Sequence, residues 1–532
     1  MDILIGEKER QARLKAPAII MTLALSAVFS VSCSRDRAGS QKPDVRQEKK
    51  KEPRDAGIKK EETKKYPEHL TEFPLTGRAV FPILNIFQKP DFESPRLGYM
   101  LQGRVVKAGD PDFTSEQCPE GWVELITGGY ACRGRGISTT DNEKLPFLKY
   151  VPPEPDLDAA LPYRYGMVNR DLTPIYKRIP ADEERWTVPQ PAVEDAGPPL
   201  KDGGTKKIKP PALILDRDVL LDAGVDVGRD AKKHPLVTRL VDRGNWLSIG
   251  KRERANGEFW YRTVNGDYIE APGIYSRLRR GVKSVGVSLE PLYPERTAAF
   301  VVHRRGGIVY KADKAGKIKG ILSRPRYPSA FVVDREKVKI GRRYFYRIED
   351  GKYLLDKNVR IMETQRPPDD LMPGEKWILV DIESQIVTAY EGSTPVYAAL
   401  AATGKDKEEL RTPAGSFRIK SKHVSKAMDG EAMPEQDEDA YLIEDVPWAQ
   451  FIRLSVALHG AFWHRNFGRP RSHGCINLAP DDARWLFKWS EPVLPRGWHG
   501  IFAVPENSGT IVVVREPPRD MEDSENSGNG AE

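Results

Sequence analysis

A cysteine and two histidines near the C-terminal end have the types and spacing for acyl transfer. The stretch LHGAFWHRNFGRPRSHGCINLAP opens on His459-Gly460 and closes on Ser472-His473-Gly474-Cys475. Five of the eight histidines follow residue 420, and three of them, His459, His464 and His473, belong to this stretch. A cysteine becomes a nucleophile when a base or a positive local field favours its thiolate, so a nearby histidine is the expected companion. That reasoning predicts a thiol that alkylates well below the ordinary value of about 8.5. Glycines beside such a group let backbone amides approach a reacting carbonyl and stabilise its oxyanion. Thirteen residues separate His459 from His473, which is not the short clip that holds zinc.

Upstream elements complete a pattern. Trp377-Ile378-Leu379-Val380-Asp381 followed by Ile386-Val387-Thr388-Ala389-Tyr390 reads as a hairpin, Thr412-Pro413-Ala414-Gly415-Ser416-Phe417 as a turn entering a strand, and Val446-Pro447-Trp448 as an aromatic segment ahead of His459. Together with the His-Gly and Ser-His-Gly-Cys strings these residues resemble the L,D-transpeptidase catalytic domain, over roughly 375–515. The resemblance implies that Cys475 is the nucleophile and His459 its base. It implies that His473 orients the site and that amides around His473, Gly474 and Cys475 form an oxyanion hole. Ser472 and Asn477 would support the loop and line the substrate groove, with Trp463 and Trp448 as further substrate-side residues; many family members carry Arg at the Asn477 position. The implied substrate is a peptidoglycan stem peptide, the acceptor a second stem, water or an envelope protein, and no metal or organic cofactor is called for. Other exported Cys-His acyl transferases fit less well. Sortase-like enzymes need a Thr-Leu-x-Thr-Cys string, and NlpC/P60-like peptidases place Cys before His. A non-catalytic wall-binding lipoprotein is the reading from a different class.

The rest of the chain reads as what carries and places this site. Three segments repeat one spacing, an aromatic, Gly six residues on and Tyr two further: Trp122/Gly128/Tyr130, Trp260/Gly266/Tyr268 and Phe345/Gly351/Tyr353. Each predicts a hairpin with a tight turn, and each follows a stretch of alternating short strands. Such units resemble bacterial SH3-like modules. The expected fold is mainly β: three small SH3-like barrels at 67–150, 151–290 (with an insertion near 187–212) and 291–368, then a β-rich catalytic domain at 369–515 with short helices, one near Pro480–Trp489.

The N-terminus speaks to compartment. Lys8, Arg10, Arg13 and Lys15 precede an apolar run from Ala18 to Val31 that ends at Cys33, the length of a signal-peptide core and short of a membrane span. Small residues and then cysteine resemble the lipobox of bacterial lipoproteins, which implies lipidation at Cys33, a membrane anchor, and the outer membrane if the cell is Gram-negative. Residues 34–66 hold twelve basic and seven acidic side chains and almost no large apolar ones, so a disordered tether is expected there, and an acidic tail at 516–532. Cys118 and Cys132 bracket the first hairpin, where a disulfide is plausible in an oxidising compartment, and free thiols are the alternative. Cys475 is left without a partner. The formal net charge of +7 is too dilute over 532 residues to mark a nucleic-acid surface, so no nucleic-acid partner is expected.

Overall fold

The computed structural model describes residues 72–141, 144–189, 226–276, 282–428 and 442–516. The leader with Cys33, the tether, most of the insertion after residue 187, the acidic loop at Asp437–Asp439 and nearly all of the tail lie outside the described residues. The described chain is mainly β, with the helix Pro480–Trp489 forming where the sequence places it.

All three repeat hairpins form. Trp122–Glu124 pairs with Tyr130–Cys132, Glu258–Thr263 with Tyr268–Glu270, and Arg343–Glu349 with Lys352–Leu355. Trp122, Trp260 and Phe345 are buried, which is why an aromatic recurs at the first position of each unit. In the first hairpin Trp122 stands opposite Cys132, and Cys118 is bonded to Cys132 with the two Cα atoms 5.9 Å apart. Phe92 and Trp122, with ring centroids 4.6 Å apart, pack with the cystine.

From residue 375 onward two sheets share one strand. Thr394–Ala402 pairs along most of its length with Ile386–Glu391, whose other neighbour Lys376–Asp381 runs parallel to Ile511–Arg515. Its last residues leave that sheet, with Ala401 opposite Leu478 and Ala402 opposite Asn477. The second sheet then continues through Ile476–Leu478, Ala457–Gly460, Ile443–Phe451, Ser421–Met428 and Gly500–Phe502. Between the layers lies the largest apolar core, including Ile378, Val380, Ala399, Leu458 and Ile476. The continuous apolar strings of these strands follow from burial of both faces.

The helix Pro480–Trp489 closes one side of this core. Pro480 stands in its first turn, where its missing N–H costs nothing, Asp481 and Asp482 face the positive end, and Lys488 lies in the last turn. Ala483, Leu486 and Phe487 form the buried face, the last two each contributing about 2 kcal/mol by leaving water. Lys422 is buried as well. Its Nζ donates to the carbonyls of Phe487 and Ser490, at 2.6 Å each, and so satisfies the C-terminal end of the helix.

The N-terminal hairpin segments do not hang free of the sheets after residue 375. Gly98 and Tyr99 pair with Ile501 and Gly500, so the second sheet runs on into the first of these segments. Trp246 of the middle segment bridges to Ile443. Near residue 285, the Asp482 carboxylate accepts from Ser284 Oγ, Val285 N–H (2.8 Å), Gly286 N–H (3.2 Å) and the Tyr397 hydroxyl (2.8 Å). These interactions join parts of the chain that composition alone would leave as separate beads. Replacing Asp482 by Ala strands two backbone amides and two hydroxyls, and a loss of about 3 kcal/mol is expected. Chemical denaturation measures it, and a change within about 0.5 kcal/mol would show that this carboxylate is not the clasp.

Candidate active site

Cys475 and His459 come to one face because two short strands run side by side in parallel. Leu458 lies opposite Ile476, and His459 opposite Asn477. Alternation along each strand puts the side chain of His459 on the face shared by Asn477 and, two residues earlier, Cys475. Cys475 enters from the loop and is half-buried, its Sγ 3.6 Å from the carbonyl oxygen of Ser455.

The loop that presents the thiol is fixed almost wholly through backbone atoms. Ser472, buried, donates from Oγ to the Cys475 carbonyl and accepts from the Gly474 N–H at 3.2 Å. Gly474 has φ +114°, a conformation that side-chain-bearing residues rarely adopt, and a Cβ there would meet nothing closer than 3.5 Å. Backbone torsion, rather than lack of space, is what requires glycine. Thr412 holds the same turn from behind, donating to the Gly474 carbonyl and accepting from Gly404 N–H, both at 2.8 Å. Gln385 does so one step further out. Its side chain grips Thr403 by donating to Oγ1 (2.6 Å) and accepting from N–H (2.9 Å), and the Thr403 carbonyl takes the amides of Arg471 and Ser472.

His459 is 3% exposed. Its Nδ1 lies 3.3 Å from the carbonyl oxygen of Gly460, and a carbonyl can only accept, so Nδ1 carries the proton. Nε2 is left as the basic nitrogen. Trp463 stacks on the ring at 5.8 Å with planes 19° apart. Burial pushes the imidazole down to about 4. Burial also pushes the Cys475 thiol up, against a smaller opposite pull from the Ala457 backbone N–H. Burial thus acts against a primed thiolate–imidazolium pair, because desolvation penalises both charged forms.

Four residues assigned from the sequence separate here. Ser472 supports the loop and His473 is half-buried beside the thiol. Trp448 does not face a groove. It is 1% exposed, lies 5.4 Å from Phe487, and its indole N–H donates to the Ala160 carbonyl at 2.7 Å, so it is core. Asn477, 2% exposed, is likewise turned inward onto His464 at 2.9 Å. The atom that faces His464 Nε2 is Nδ2 of Asn477, and His464 Nδ1 accepts from Asn466 N–H at 3.2 Å. Phe467 is fully buried, and Phe462 packs on Tyr165 (4.2 Å) and Trp246 (5.2 Å), so the middle segment braces the loop between the two catalytic strings. Gln385, Thr403 and the carbonyls of Ser455 and Gly460 went unread, since backbone atoms leave no residue-type signal and Gln385 stands in a turn of its own.

A neutral pair has a pH signature. The rate of Cys475 alkylation should climb with pH through the range 6 to 8.5 without levelling, while turnover of an acyl substrate, which needs only neutral His459, should fall as pH drops through about 4 and stay flat above about 5. Alkylation that reaches a plateau below pH 8 would contradict it.

The geometry can be set beside known proteins. A stretch of 85 residues is 39% identical to L,D-transpeptidase 1 of Mycobacterium tuberculosis, covering 15% of this chain and 34% of that protein. The chain thus spans about a third of the length of the curated relatives it matches. Among solved structures, the catalytic domain of an Enterococcus faecium L,D-transpeptidase is 24% identical over 27% of this chain and 98% of its own, with a TM-score of 0.20. An L,D-transpeptidase from Mycobacterium smegmatis is 17% identical over 51% of this chain and 99% of its own, with a TM-score of 0.22. Residues 375–514, which carry His459, Cys475 and the loop between them, match the model of the YkuD family, the L,D-transpeptidase catalytic domain.

Proposed function

We propose that the chain is a peptidoglycan L,D-transpeptidase that works through a cysteine thioester and forms 3→3 cross-links. The observation that supports the reading is the strand pairing that puts Cys475 and His459 on one face, with Nδ1 of His459 beside a carbonyl and Nε2 left as the base. Cys475 Sγ attacks the carbonyl between the third and fourth residues of a tetrapeptide stem as its proton passes to Nε2. The developing oxyanion is met by amides around His473, Gly474 and Cys475. The C–N bond breaks, the proton held on His459 goes to the departing amine, and D-alanine leaves a thioester on Cys475. An amine of a neighbouring stem then attacks, gives up its proton to His459, and releases the thiol. His473 orients the loop and Trp463 walls the site beside His459.

The remainder of the chain fits an envelope enzyme. In this reading the three small β units are SH3-like modules, Cys33 is the lipidated residue, 34–66 is the tether that lets the body reach the wall, and the anchor lies on the periplasmic side of a membrane. The Cys118–Cys132 bond suits an oxidising compartment.

Intact-protein and product mass spectrometry on the full chain, with disaccharide-tetrapeptide as substrate, tests the proposal. Wild-type protein should gain the mass of the stem less D-alanine, release D-alanine and yield dimers, and Cys475→Ala should do none of these. D-alanine release without dimers would move the acceptor to water or an envelope protein. No adduct at all would leave a non-catalytic wall-binding protein.

A further inference from the structure

A cavity of about 430 Å³ opens where residues 303–327 meet the loop between His459 and Cys475, and its lining carries charge of one sign. Arg304, Arg305, Arg324, Arg326 and Arg465 surround it together with Tyr327, and no carboxylate belongs to the lining. Among the described residues none of these five guanidinium groups forms a salt bridge.

The five arginines are exposed, and the backbone sets where the segments that bear them lie. Gly306, at φ +80°, turns back so that Gly307 N–H donates to the Pro325 carbonyl at 2.9 Å, and a Cβ on Gly306 would stand 2.4 Å from that same oxygen. Only glycine lets the Arg304-Arg305 turn lie against the Arg324-Pro325-Arg326 segment. Tyr327 of the lining is tied to the loop, its hydroxyl donating to the Phe467 carbonyl at 2.7 Å. Five cations held together without counter-charge repel one another, and a bound anion relieves that repulsion. Guanidinium forks match the two oxygens of a carboxylate or phosphate.

We propose that this cavity is an anion subsite, separate from the thiol site, that takes carboxylates on the peptide stems of the wall polymer and so holds a strand against the catalytic loop. The substrate class rests on the function proposed above. What favours carboxylates on a strand over another source is continuity, because Arg465, Phe467 and Gly468 belong to the same loop that joins His459 to Cys475.

The test uses the full chain carrying Arg304→Gln, Arg305→Gln and Arg326→Gln together, all outside the catalytic machinery. Cosedimentation with isolated peptidoglycan sacculi should weaken at least tenfold against the parent and should fall with added salt. Sacculi whose carboxylates have been amidated should lose the parent protein to the same degree, while Cys475 of the variant should alkylate at the parent's rate, which shows the fold intact. Equal sedimentation of variant and parent, or no effect of amidation, would overturn the subsite. Arginine-dependent capture by phosphatidylglycerol vesicles in preference to sacculi would overturn it in favour of a lipid phosphate. Failure of acyl transfer with arginine-dependent sedimentation retained would remove the proposed chemistry and leave the subsite standing.

Discussion

Everything at the site depends on one parallel pairing, Ala457–Gly460 against Ile476–Leu478. A parallel pair cannot be joined by a tight turn, so the chain needs a crossover between the two strands. That crossover is the loop 461–475, and it brings the thiol back to the strand that bears the base. The pairing also fixes the face: a one-residue slip would turn His459 into the core and Leu458 toward the thiol. The flanking strands Ile443–Phe451 and Thr394–Ala402 hold the register from both sides, and the helix Pro480–Trp489 packs beneath.

Burial is the second constraint, and it acts on chemistry as well as on packing. Enclosing His459 under Trp463 lowers its basicity, and enclosing the sulfur makes the thiol harder to ionise. The two shifts oppose a resting ion pair. They suit a mechanism in which charge appears only when a substrate carbonyl is attacked, with amides already aimed at the oxyanion. The Gly460 carbonyl performs the orienting task, fixing which nitrogen is free, and it does so with a backbone atom that no substitution can delete.

How much of this could be read from the sequence follows from where each task is placed. The proposed nucleophile and base, Cys475 and His459, were legible because only certain side chains do that work. The helix at Pro480–Trp489 was legible from Pro480, the two aspartates and the apolar spacing, and the three hairpins from aromatic, glycine and tyrosine at fixed offsets. Trp448 and Asn477 were misplaced because a motif position says that a residue matters, not which way it points. Both turn inward, to Ala160 and His464. The joining of sheets at Gly98–Tyr99 and Gly500–Ile501 could not be read, since main-chain hydrogen bonds between distant strands leave no trace in residue type. The arginine-lined cavity escaped for a similar reason, as its members come from three separated stretches whose charges look unremarkable in a mildly basic chain.

The central claim is that the resting site holds a neutral base with its free nitrogen at Nε2. Nitrogen-15 NMR of the His459 ring, in protein labelled at histidine and compared with a His459→Gln variant for assignment, measures this directly. The account predicts a protonated Nδ1 and an unprotonated Nε2 at pH 7, persisting down to about pH 5 before the ring charges near 4. A ring protonated on both nitrogens at pH 7, reverting to neutral in Cys475→Ala, would reveal a thiolate–imidazolium pair and contradict it.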